Sequence, residues 1–253
     1  AQWPTGHKGS AARDDEQRPP NTLPNNANGR YHCANRSGSS SRKLMSDRMN
    51  PRAALQRLRD GNRRFAASLQ AEEPRFLKTN RDELAADQEP FAIILGCSDS
   101  RVPAEIIFDQ GLGDLFVIRV AGNIVAPSQV GSVEFAVSRF GTRLVVVLGH
   151  SRCGAIRATI DELTRGSDNT SSNIRSIVDR VKPSVQSIMS TELRNNTDAL
   201  VKAAIRANVR ASADHLRHGS EIIEKSIADD GLLVVGAEYS LETGTVDFFD
   251  GLP

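Results

Sequence analysis

Leu144-Val145-Val146-Val147-Leu148-Gly149-His150-Ser151-Arg152-Cys153-Gly154 is an aliphatic, β-branched run that turns abruptly into a segment of polar and metal-ligating side chains. The same design recurs upstream, where Phe91-Ala92-Ile93-Ile94-Leu95-Gly96 leads into Cys97-Ser98-Asp99-Ser100-Arg101. A short run that is apolar at every position reads as a strand buried on both faces, the kind found in parallel sheets. The polar segments then fall at the carboxyl ends of two strands, where open α/β sheets place their ligands.

The alternation continues outward. Leu115-Phe116-Val117-Ile118-Arg119-Val120 is a further strand, and Leu232-Leu233-Val234-Val235-Gly236 is the last of the apolar runs. Glu242-Thr243-Gly244 turns this last run into a short hairpin partner, Val246-Asp247-Phe248-Phe249. Helical patterns lie between the strands. Asn50-Pro51 supplies an N-cap and a first-turn proline for a helix to about residue 67, with Leu55, Leu58 and Phe65 as its stripe. A short helix runs from Pro103 to about Gln110, and another spans about 128–140. One more starts after Cys153, a polar loop covers 166–173, and two or three helices fill 174–229 with a break at Leu216 to Gly219. The pattern predicts an α/β protein with a mainly parallel central sheet flanked by helices.

The chain has 253 residues, which suits one domain, 49–253, preceded by a tail, 1–48. The tail carries Pro19-Pro20 and a Ser37-Gly38-Ser39-Ser40-Ser41 run without periodicity. It reads as disordered: a non-native extension, or a regulatory or targeting segment. It lacks the apolar core of a signal peptide, and Asp14-Asp15-Glu16 argues against a transit peptide. No apolar run approaches the ~20 residues that span a membrane. The net charge of +1 divides into +4 on the tail and −3 on the rest, so no nucleic-acid partner is expected. Cys33, Cys97 and Cys153 are too few for a disulfide framework, and reduced thiols point to the cytoplasm. Cys33, in the polar tail, reads as a bystander.

Two thiols and an imidazole at adjacent strand ends make a Cys2His set. Zinc takes such ligands, and a three-ligand site keeps a fourth position open for chemistry. Structural zinc sites usually draw on tight ligand pairs, whereas here Cys97 stands alone, 53 residues before His150. Only the assembled sheet joins them, which favours catalysis over a closed structural zinc. The non-metal readings are a redox cysteine pair, against which the 56-residue separation of Cys97 and Cys153 counts, and a His-activated cysteine nucleophile. With two thiolates cancelling the ion's charge, water bound to it should ionise above the pKa of ~7 reached with three neutral ligands. Asp99 is placed to orient the resulting zinc-bound hydroxide, and Arg101 to keep Asp99 ionised. Released from Arg101, Asp99 would itself fill the fourth position and shut the site. His215 and His218, spaced i, i+3, read as surface residues at a helix end, capped by Gly219, rather than as proton carriers or an accessory metal pair.

The order C-x-D-x-R at 97–101 and H-x-x-C at 150–153 resembles the β-class carbonic anhydrases. The likeness runs from about residue 50 to the C-terminus, and includes Gly61-Asn62-Arg63-Arg64-Phe65, Arg101-Val102-Pro103-Ala104 and Phe116-Val117-Ile118-Arg119. The resemblance implies reversible hydration of CO2 to bicarbonate and a proton, with one zinc per chain on Cys97, His150 and Cys153 and with Asp99 and Arg101 as the catalytic dyad. It implies that Gln88 helps hold substrate, that Phe116 walls the pocket, and that the Gly154 amide meets substrate at a helix start, where anions are favoured. It further implies a homodimer or homotetramer, with the helix at 51–67 as an arm on the partner subunit. Two positions depart from the family pattern. Phe135 stands where many members have Tyr. Ile94 stands where members with a regulatory bicarbonate site have Trp, although Arg119, which serves that site, is present. An accessible zinc without that regulatory site is therefore expected. The rival readings are a carbon disulfide or carbonyl sulfide hydrolase with the same ligands, and a non-catalytic scaffold protein such as a carboxysome-like component.

Overall fold

The computed structural model describes residues 49–68, 88–165 and 171–253. The tail at 1–48 with Cys33, the connector at 69–87 and most of the polar loop at 166–173 lie outside the described residues. The elements follow the order α1 (Pro51–Ser68), β1 (Ala92–Gly96), α2 (Ala104–Ile107), β2 (Leu115–Arg119), α3 (Pro127–Phe140), β3 (Leu144–His150), α4 (Gly154–Arg165), α5 (Ser172–Met189), α6 (Thr197–His218), α7 (Glu221–Asp230), β4 (Leu233–Tyr239) and β5 (Val246–Asp250). Single 3-10 turns sit at Ala121–Asn123 and Glu192–Asn195.

The strands form one sheet in the order β2-β1-β3-β4-β5. The first four are parallel, and β5 returns antiparallel to β4 as the hairpin pattern requires. β1 and β3 are buried along their whole length, which explains their uninterrupted apolar sequences. Side chains alternate between faces. Ile94, Val146, Leu148 and Val235 join Leu55, Leu58, Ile107 and Phe108 on one side. Ile93, Leu95, Val145 and Val147 join Val133, Val209, Leu216 and Ile223 on the other. A third cluster, built by α4, α5 and α6, packs behind Cys97 and Cys153.

The stripe of α1 is buried within this same subunit, with Ala54 and Leu58 fully covered. Gly61 marks the close approach of α1 to α2, because a Cβ there would meet the Phe108 carbonyl oxygen. Beside it, Asn62 is buried and ties three segments together. Its Nδ2 donates to Ile107 O at 3.2 Å and Gly244 O at 2.9 Å, and its Oδ1 accepts from Val246 N at 2.8 Å.

One sequence expectation is corrected in detail: the short helix after Pro103 covers only Ala104–Ile107. Gly219 is the C-cap of α6, with a φ of −102°. Glycine is needed there because a Cβ would collide with the His215 carbonyl oxygen at 2.4 Å.

Asn62→Ala leaves buried backbone groups of the β4–β5 hairpin without partners. Urea denaturation should show a loss of about 3 kcal/mol.

Candidate metal centre

Parallel pairing aligns Gly96 of β1 with Leu148 of β3. Cys97, one residue beyond β1, therefore arrives beside His150, the last residue of β3. This is the switch point of the sheet, where β1 has β2 on one side and β3 on the other. Cys153 reaches the same place from the start of α4, three residues after His150. Sγ of Cys97, a ring nitrogen of His150 and Sγ of Cys153 all lie within 4.8 Å of one another. Among the described residues, this is the one group of three such side chains close enough to hold a metal ion. His215 and His218 belong to no such group, and His218 Nε2 instead lies 3.6 Å from Asp214 Oδ1.

The donors are prepared for a cation. His150 is fully buried, and its Nδ1 lies 2.9 Å from Ser151 O. A carbonyl can only accept, so Nδ1 carries the proton and Nε2 offers its lone pair. That Nε2 is buried without a hydrogen-bond partner. A buried orphan nitrogen facing two sulfurs is what a missing ligand leaves behind. The sulfurs tell the same story. Hydrogen bonding to Cys153 pulls the Cys97 thiol down to about 4, and the amide of Gly122, 3.3 Å away, helps. Cys153 is pushed up, first by its hydrogen bond to Cys97 and then by burial, although the amides of Ala155 and Ile156 at the start of α4 favour its thiolate. The donor set is soft, two S and one N, and fits zinc.

Asp99 stands at the mouth. Its Oδ2 is 3.9 Å from His150 Nε2. Arg101 grips both carboxylate oxygens, Nε to Oδ1 at 2.9 Å and Nη2 to Oδ2 at 2.7 Å, and its amide donates to Oδ1 at 3.0 Å. The guanidinium holds the Asp99 carboxyl far below the usual carboxylate range. Arg119 fixes the loop from beneath, donating to Cys97 O at 3.1 Å and Asp99 O at 2.6 Å. Gly154 is exposed at the first turn of α4, next to Cys153.

Gln88 and Phe116 are not brought to this cluster within one subunit. Gln88 is exposed and precedes β1, whereas Cys97 follows it, so five strand residues, about 17 Å, separate the two. Phe116 pairs with Ile93, four residues before Cys97, about 13 Å along the strand. It packs instead with Phe135 and Phe140, at 6.2 and 6.0 Å between ring centroids, on the sheet edge formed by β2. Phe135 remains 53% exposed.

Sequence reasoning missed three contributors. The Gly122 amide was hidden in Ala121-Gly122-Asn123, although a Gly-Asn pair signals the left-handed turn found there, with φ of 70° and 44°. Nothing in the strand pattern around Arg119 announces that its guanidinium braces the Cys97–Asp99 loop. Glu242 was read only as a turn residue. No helix among the described residues is long and apolar enough to cross a membrane.

A family model described as "Carbonic anhydrase" matches residues 92–246. "Carbonic anhydrase 2" of Mycobacterium tuberculosis is 41% identical over 197 residues, covering 77% of this chain and 91% of that protein. The carbonic anhydrase of Mycolicibacterium smegmatis is 39% identical over 198 residues, covering 78% and 93%. Among solved structures, one of two tetrameric β-carbonic anhydrases from the ascomycete Sordaria macrospora superposes with a TM-score of 0.60 at 26% identity, covering 75% of this chain and 93% of that one.

Cys153→Ser and His150→Ala should each lower zinc from about one per chain to well under half, with far-ultraviolet circular dichroism unchanged. Elemental analysis of the purified variants measures this.

Proposed function

The chain belongs to the β-class carbonic anhydrases, zinc enzymes that interconvert carbon dioxide with bicarbonate and a proton, and on that premise we propose how its own residues carry the reaction. The observation that carries the reading is the meeting of three donors, one an orphan His150 Nε2, with an ionised carboxylate 3.9 Å away. Bound to Cys97, His150 and Cys153, zinc supplies the Lewis acidity that lets water ionise at mildly alkaline pH.

Asp99 is the acceptor that orients the attacking oxygen. Clamped by Arg101, the carboxylate keeps one direction, and its low pKa leaves it an acceptor throughout the working range. Arg101 has the further role of a switch. While it holds both oxygens, the Asp99 carboxylate is committed to Arg101; once released, it would be free to serve as a fourth ligand to a bound zinc. Gly154 offers its amide to bicarbonate at the start of α4.

Gln88 and Phe116 complete the pocket from a second copy of the chain. Their distance from the cluster of their own subunit supports this, as does the aromatic group left half-exposed on β2 and α3. The assembly is a homodimer or a pair of dimers. The apolar stripe of α1 serves its own subunit, so any contact of α1 with the partner uses its other face. Residues 49–253 act as one zinc domain. Thiolate ligands need reducing surroundings, which fits the cytoplasm. The sulfur-substrate and scaffold readings are not favoured, because the relatives are carbonic anhydrases and the Asp99–Arg101 pair is intact beside the three donors.

Stopped-flow CO2 hydration across pH ~6.5 to ~9 should show fast turnover that rises with pH, with about one zinc per chain. Zinc-loaded protein that is inactive at every pH would overturn the reading. Asp99→Asn should cut kcat about 100-fold or more while zinc stays bound. Gln88→Ala should lower turnover with zinc content unchanged.

A further inference from the structure

His150 and Cys153 are delivered by only two intervening residues, Ser151 and Arg152, where β3 turns into α4. Such a short strand-to-helix connection needs an unusual backbone. Arg152 takes φ of 55°, a left-handed conformation that a non-glycine residue keeps only when its surroundings enforce it.

The enforcement comes from the β4–β5 hairpin. Glu242 spans both residues: Oε2 accepts from Ser151 Oγ at 2.7 Å, and Oε1 pairs with Arg152 Nε at 2.6 Å. Ser151 Oγ also accepts from Leu241 N at 2.9 Å, and Ser151 N donates to Tyr239 O at 2.9 Å. Ser240 Oγ steadies the carboxylate at 3.2 Å. The hairpin is in turn pinned to α1 through Asn62, on Gly244 O and Val246 N. Ser151 therefore has its amide, its hydroxyl and, through the His150 Nδ1 contact, its carbonyl all engaged. That carbonyl is the group that turns Nε2 of His150 toward the sulfurs.

The geometry points to Glu242 as a positioning residue for the metal: it latches the Ser151–Arg152 turn so that the His150 imidazole and the Cys153 sulfur face the same point. The inference rests on the zinc reading of the cluster. Glu242 touches no donor atom, and acts through Ser151 and Arg152. Groups that orient metal ligands in this way commonly change metal affinity 10- to 100-fold when removed.

The test compares the wild-type holoenzyme with Glu242→Gln, Ser151→Ala, the double variant and Asp247→Asn. Asp247 lies on β5, and its carboxylate binds Arg206 and not Ser151 or Arg152, so it serves as a charge-matched control in the same cavity wall. The readouts are the rate of zinc loss to a chelator, the visible spectrum of the Co2+-substituted protein, and the thermal midpoint of the metal-free form. Glu242→Gln and Ser151→Ala are each expected to release zinc about 10- to 100-fold faster, with an altered cobalt spectrum and a combined effect smaller than the product of the two. Asp247→Asn should match the wild type. The Glu242 side chain is 42% exposed, so its replacement leaves the core intact. A Glu242→Gln protein with wild-type release and spectrum overturns the latch, even if its midpoint falls, because that pattern belongs to hairpin support alone. Equal acceleration by Asp247→Asn also overturns it. A wild type that binds no zinc overturns the zinc reading first, and the latch with it.

Discussion

Hydrogen bonding between β1 and β3 is the constraint from which the site follows. Gly96 lies beside Leu148, so Cys97, the first residue past β1, falls beside Gly149 and next to His150, the last residue of β3. Strand side chains alternate with a period of two, and a slip of one residue would send Cys97 toward the opposite face of the sheet. Ile93 and Leu95 sit in one apolar layer and Ile94 in the other, so the register that assigns these layers also decides the side of the sheet on which Cys97 emerges. The core and the metal cluster thus share one determinant.

Electrostatics then decides what those strand ends tolerate. Two sulfurs and an imidazole are removed from water, with Arg101 acting on the sulfurs only through its charge and not by a hydrogen bond. Dipoles do part of the work: the Gly122 amide and the first amides of α4 point at sulfur, and Arg119 neutralises the carbonyls of Cys97 and Asp99 rather than the thiolates. Full ionisation of both thiols still calls for a cation among them. The Asp99–Arg101 pair is the opposite case, a charge pair at the rim with Arg101 half in solvent, where its geometry matters more than its strength.

Much of this was legible in the sequence, for a physical reason. Buried parallel strands must be apolar throughout, so β1 and β3 announce themselves, and their ends mark the ligand positions. The Asp99–Arg101 contact is local, two residues apart, and needs no knowledge of the fold. What escaped depends on long-range placement. Ser151 meets Glu242 only through the β4–β5 turn, 91 residues later. The stripe of α1 has the same pattern whether it covers its own core or a partner. Gln88 and Phe116 stand far from the cluster of their own chain, and no periodicity announces a partner from another. Gly219 reads as a helix cap from sequence alone, but the close approach of the His215 carbonyl that requires glycine there shows only in the fold.

The three ligands are unevenly divided along the polypeptide. His150 and Cys153 belong to one tight turn, while Cys97 arrives only with the folded sheet. An unfolded chain therefore offers a metal two neighbouring donors, and the native chain offers three already gathered. Anything that binds the native form in preference adds to its stability in proportion to its free concentration. A zinc ion held by all three donors would therefore tie metal affinity to the folding of the whole sheet and not to the His150–Cys153 turn alone.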